Sequence, residues 1–86
     1  MYNIYVLRSL KNGKKYVGFT GKDPIARLKE HNKGSNTWTR QNRPFALIYT
    51  EEFEDKKLAE QRERFFKSTT GRRQLDHILR ARSSTG

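Results

Sequence analysis

A chain of 86 residues makes one domain, because a second could not bury a core of its own, and the lack of any cysteine excludes disulfides and thiolate metal sites. Hydrophobic residues make up 33% of the chain, enough for a thin core, and no run approaches the roughly 20 apolar residues that a membrane-spanning helix needs. Nineteen Lys and Arg against nine Asp and Glu leave a net charge of +10, which on so small a body points to a polyanion, most simply nucleic acid.

The first predicted element is a hairpin. Ile4 and Val6, then Val17 and Phe19, alternate with Tyr5 and Tyr16 in the period of two that marks strands. Between them Asn12-Gly13 signals a two-residue type I′ turn. That turn places Tyr5 opposite Thr20 and Gly18 opposite Leu7, with Tyr5, Tyr16 and Gly18 on one face of the ribbon. A glycine between two phenols leaves a notch across which both can lean.

Asp23-Pro24 opens a helix: Asp is a favoured N-cap, and Pro at the first helical position gives up an N–H that has no partner there anyway. Lys33-Gly34 closes it. Ile25 and Leu28 are expected to face inward, while Arg27 and His31, four apart, share a side. Residues 33–44, K-G-S-N-T-W-T-R-Q-N-R-P, read as a polar, basic loop around the single tryptophan, Trp38. Phe45 to Tyr49 reads as a third strand, expected in the centre of the sheet. Asp55 caps a second helix to about Lys67 with the stripe Leu58, Ala59, Phe65 and Phe66; Ser68 to Gly71 breaks it, and Leu75, Ile78 and Leu79 line the inner face of a third. Residues 1–82 are expected to form the domain and 83–86 a flexible tail. The N-terminal Met-Tyr-Asn-Ile has neither the basic nor the apolar region of a signal peptide, so a cytoplasmic location is expected.

Most site types fail on inventory. His31 and His77 are too few for zinc, no Gly-rich phosphate loop is present, and Ser35 lacks the glycine setting of a hydrolase nucleophile. Among the carboxylates of the second helix, Glu63 falls at the rim of the apolar stripe and Glu60 on the solvent side. A rim glutamate is ordinarily an ion-pair partner, here of Arg62 or Lys67; it is also where a metal could be held against the sheet. Two tyrosines, an arginine, a histidine and one carboxylate on a basic body suit phosphodiester hydrolysis, since a metal and an arginine stabilise charge on phosphorus.

The same residues resemble a known family. N-I-Y at 3–5 and Y-V-G at 16–18 are similar to the paired motifs of the GIY-YIG nucleases. R-x-x-x-H (Arg27, His31) and A-x-x-x-E (Ala59, Glu63) resemble the rest of that family's site, and T-R-x-x-R-P at 39–44 with E-x-x-x-K (Glu63, Lys67) looks like its small stand-alone bacterial branch. The resemblance implies an α+β fold: a small three-stranded antiparallel sheet flanked by about three helices. It also implies one divalent metal, Mg²⁺ or Mn²⁺, at Glu63. By the same resemblance Tyr5 is the base that activates water, Tyr16 tunes it, Arg27 braces the phosphate, His31 orients or deprotonates the nucleophile, and Gly18 gives them room. Two departures stand out: Asn3 replaces the first Gly, and the region where members carry a further Asn offers Gln74, Asp76 or His77 instead.

The expected activity is therefore a metal-dependent DNA endonuclease or phosphodiesterase of low sequence specificity, acting as a monomer on DNA, branched or damaged DNA and RNA included among its possible substrates. A nucleic-acid-binding module with the same fold and weak or no catalysis is the alternative, and an adaptor for an acidic protein has only charge in its favour. Expected nucleic-acid contacts are Arg8, Lys15, Lys22, Lys29, Trp38, Arg40, Arg43, Lys67, Arg72 and Arg73.

Overall fold

A computed structural model describes residues 1–83. The chain forms strands β1 (Tyr2–Ser9) and β2 (Lys15–Thr20), helices α1 (Pro24–Asn32) and α2 (Thr37–Asn42), strand β3 (Phe45–Phe53), and helices α3 (Lys56–Lys67) and α4 (Thr69–Ser83). The three strands make one antiparallel sheet in the order β2-β1-β3, so β1 is the central strand and the third strand lies at an edge, contrary to expectation. β1 takes the centre because both sides of it are apolar: Ile4 and Val6 point one way, Tyr5 and Leu7 the other, and all four are at most 1% exposed.

The hairpin register also differs from the prediction. Tyr5 pairs with Gly18 and Leu7 with Tyr16, two residues from the expected partners. Of the loop residues only Gly13 takes positive φ, at +78°, whereas a type I′ turn requires Asn12 to do so too. The turn is instead a four-residue loop in which Ser9 N–H donates to the Lys14 carbonyl at 2.8 Å and Gly13 N–H donates to the Ser9 carbonyl at 2.9 Å. Because the shift is by an even number of residues, the faces are unchanged, and Tyr5, Tyr16 and Gly18 do share one. On the other side, β1 and β3 pair from Tyr2–Phe53 to Ser9–Phe45 with a bulge at Ile48.

Each sheet face has its own core. Ile4 and Val6 pack with Ala59, Phe66 and Leu75 of α3 and α4, while Tyr5 and Leu7 pack with Phe45, Leu28 and Trp38 beneath α1 and α2. Two apolar residues expected inside are out: Ile25 is 47% and Leu58 51% exposed. In α3 the inward face runs through Ala59, Arg62, Glu63 and Phe66, and Glu51 on β3 holds Arg62 in a two-pronged ion pair (2.9 and 3.2 Å).

The basic segment read as loop contains a helix. Asn36 caps α2, accepting from Thr39 N–H at 2.8 Å, while Thr39 Oγ1 accepts from Asn36 N–H in return. The stretch has Thr where the usual box has Glu or Gln, which hid the cap. The break between α3 and α4 shrinks to Ser68, whose Oγ accepts from Gly71 N–H at 3.1 Å. Gly71 is not the breaker: it lies in the first turn of α4, where a Cβ would stand 1.6 Å from the Phe65 carbonyl oxygen, so glycine permits the two helices to meet that closely. α4 includes Ser83, and the rest of the expected tail, 84–86, lies outside the described residues.

Candidate active site

Tyr5 is the centre of the assembly. Carried on β1 and 1% exposed, its ring lies across Gly18, where a Cβ would stand 2.2 Å from Tyr5 Cζ; any side chain there would expel the phenol. The Tyr16 ring is 6.3 Å away by centroids, and His31 from the end of α1 packs against both, at 5.8 Å from Tyr5 and 4.8 Å from Tyr16. His31 Nε2 is 2.9 Å from the Tyr5 hydroxyl. Arg27, one turn back on α1, brings its charge to the same phenol and pairs with Glu30.

Hydrogen-bond chemistry orders these contacts. A neutral imidazole has one acceptor nitrogen, so Tyr5 O–H donates to His31 Nε2 in the tautomer that carries its proton on Nδ1. The imidazole proton then sits on Nδ1, where Ser35 Oγ stands 3.4 Å away to receive it. Ser35 enters the site as a neighbour of His31 from the turn that follows α1, four residues on in the sequence.

Electrostatics agree with this arrangement. Burial pushes the Tyr5 phenol above its ordinary value; Arg27 opposes that by its hydrogen bond, and the charges of Tyr16 and Glu63 add to the rise. His31 is lowered, first by burial and then by the Arg27 charge, so it is held neutral. Arg27 is raised, chiefly by its bond to Tyr5. That Glu63 acts on Tyr5 places the carboxylate of α3 within electrostatic reach of the phenol.

Glu63 is the more enclosed of the two helix carboxylates, its side chain 24% exposed against 41% for Glu60. Each has an i,i+4 lysine: Lys67 at 3.1 Å from Glu63, and Lys56 at 3.9 Å from Glu60. Among the described residues there is no group of three or more His, Asp and Glu able to hold a metal ion. The donors near Tyr5 are nonetheless hard oxygens, one carboxylate and two phenols, which fits Mg²⁺ or Mn²⁺: such ions keep several waters and take one or two carboxylates plus phosphate oxygens.

The remaining predicted residues spread around this centre. Trp38 stacks between Tyr16 (5.5 Å) and Phe45 (5.6 Å) and roofs the smaller core. Lys22, Lys29, Arg40, Arg43, Arg72 and Arg73 are exposed, with Arg43 donating to the Lys33 carbonyl at 3.2 Å. Arg8 and Lys15 alternate with the tyrosines and so project from the opposite face of the sheet. Asn3 donates to the Lys22 carbonyl at 3.4 Å, and Asp76 pairs with Lys15 at 3.2 Å; neither joins the Tyr5 assembly.

A three-stranded antiparallel sheet that gathers two tyrosines, an arginine, a histidine and a helical glutamate has the architecture of a nuclease fold. The model of the GIY-YIG catalytic domain matches residues 1–76, and the chain belongs to the GIY-YIG family. A UPF0213 protein of Bacillus velezensis is 40% identical over 70 residues, spanning 80% of this chain and 70% of that protein. Another, from Bacillus subtilis, is 36% identical over 81 residues, spanning 93% and 80%. The solution NMR structure of a UPF0213 protein from Bacillus halodurans superimposes with a TM-score of 0.54 at 33% identity, covering 91% of this chain and 85% of that one. No described helix is long and apolar enough to cross a membrane.

Proposed function

We propose that the protein is a metal-dependent phosphodiesterase that cleaves DNA with low sequence specificity. The observation that carries this reading is the buried Tyr5–His31 contact at 2.9 Å, with the Arg27 charge acting on the same phenol. A phenol alone is a poor base at neutral pH, and burial makes its ionisation harder still. A neutral imidazole at its O–H removes that difficulty: as Tyr5 takes a proton from the attacking water, it passes its own to His31 Nε2. Ser35, bound at Nδ1, keeps that nitrogen protonated and Nε2 receptive. Arg27 steadies the oxygen of Tyr5 and brings a positive charge to the place where the phosphate gains negative charge. Glu63 would hold Mg²⁺ or Mn²⁺, which supplies Lewis acidity at phosphorus and an acidified water.

A second reading, a nucleic-acid-binding module without chemistry, draws on one observation: Tyr5 is 1% exposed, so water must reach a hydroxyl now covered by its neighbours. Cleavage of supercoiled, branched and single-stranded DNA and of RNA, with Mg²⁺ or Mn²⁺ against EDTA, decides between them. Nicking that needs metal and disappears in Tyr5→Phe is expected. Binding without nicking under all conditions would establish the second reading.

A further inference from the structure

Two grooves meet at Lys15, the first residue of β2. The first, about 610 Å³, extends from Tyr16 and Trp38 to Lys67 and Arg72. The second, about 760 Å³, lies on the opposite face of the sheet, floored by Ile48 and Leu79 and walled by Arg8, Arg80 and Arg82. Lys15 and Asp76 line both, and their 3.2 Å ion pair stands at the junction. We propose that the second groove is a binding site for the phosphodiester backbone of the substrate strand, continuous with the candidate centre through the Lys15–Asp76 junction. The inference rests on the phosphodiesterase reading and extends it to the far face of the sheet.

The groove is crowded with like charge. Arg8 sits directly opposite Lys15 in the β1–β2 ladder, and like charges facing each other across a strand pair weaken it. Four cations line the groove against one carboxylate, and that carboxylate already holds Lys15. No ion pair engages Arg8 or Arg80 among the described residues, whereas Arg82 lies over the Tyr49 ring at 5.2 Å. A cluster that repels itself when empty is stabilised by a polyanion, and the adjoining groove begins at Tyr16. A strand leaving the centre along that groove would meet these cations next. Asp76 is then the one repulsive group on the route. It also restrains Lys15, so it lowers affinity twice over.

These placements give variants with opposite signs. Arg8→Gln/Arg80→Gln should weaken binding and flatten its salt dependence; Asp76→Asn should tighten binding. Binding is read by fluorescence anisotropy of fluorescein-labelled DNA in the Tyr5→Phe background, which separates affinity from cleavage. Losing two phosphate contacts lowers the log–log salt slope by about 1.4 on single strands and about 1.8 on duplex. Asp76→Asn should bind about fivefold tighter at low salt, the effect of removing one nearby like charge. The deficit of the double variant should grow along a series from about 4 to about 16 nucleotides, the span of site sizes for small single-strand binders. Melting curves confirm that both variants fold. Salt slopes equal to the parent's in the double variant, or weaker binding by Asp76→Asn, would overturn the groove and leave the phosphodiesterase reading standing. Absence of any DNA binding in the parent would overturn both readings together.

Discussion

Gly18→Ala tests the centre with a single methyl group. The added Cβ would stand 2.2 Å from Tyr5 Cζ, 2.3 Å from its hydroxyl oxygen and 2.7 Å from Cε1, all well inside van der Waals contact. Tyr5 cannot simply swing aside. Its ring is enclosed by Tyr16 and His31, and its hydroxyl is held by His31 at 2.9 Å. Overpacking of this kind costs about 1–3 kcal/mol, and loss of the hydroxyl's hydrogen bond adds about 1 kcal/mol. The total, about 2–4 kcal/mol, corresponds to a melting temperature lower by about 8–30 °C in a domain this small. Calorimetry measures the stability and a plasmid-nicking assay the activity, which should fall with it because the phenol is displaced. A double variant, Gly18→Ala/Tyr5→Leu, separates the causes: removing the ring should return much of the lost stability and none of the activity. Gly18→Ala with unchanged melting temperature and nicking would refute the argument that this glycine exists to admit the Tyr5 ring.

Glu63→Gln should abolish nicking and Mn²⁺-induced NMR line broadening around residues 5, 16, 27 and 63, while Glu60→Gln leaves both near the parent level; broadening that persists in Glu63→Gln would remove the metal from this helix. His31 is depressed below the ordinary histidine value near 6.5, so in the window between its folded pKa and that value the unfolded chain binds the proton and the folded chain does not. Stability from this group is thus complete above about pH 6.5 and is lost as pH falls through the folded pKa. The acid limb of nicking should lie below pH 6.5 for the same reason, and His31→Gln should show no such stability step. Tyr5→Phe removes the hydroxyl and keeps the ring, so its cost should be about 1 kcal/mol, or about 4–8 °C, with nicking gone; outright unfolding would make Tyr5 a structural residue.

The elements announced themselves locally. Alternating apolar residues, the Asp23-Pro24 and Asp55 caps, and the four-residue step from Arg27 to His31 depend on neighbours within one turn or one hairpin, so the sequence alone specified three strands, three of the four helices and the face that Tyr5 and Tyr16 share. Side-chain alternation survives a two-residue shift in register, and for that reason the wrong turn type at Asn12-Gly13 still put Tyr5, Tyr16 and Gly18 together. What depended on distant partners was not legible. Leu58, read as part of the inward stripe, is 51% exposed while Arg62 turns in to meet Glu51 on β3, and no helical wheel contains that ion pair. Gly71 looked like a helix breaker because its actual reason, the Phe65 carbonyl 1.6 Å from any Cβ, belongs to the crossing of two helices. The order β2-β1-β3 followed from which strand could be buried on both faces, a property of the two cores together. The meeting of Tyr5 with His31, and of His31 with Ser35 through its other ring nitrogen, was decided the same way, by the packing of α1 against the centre of the sheet.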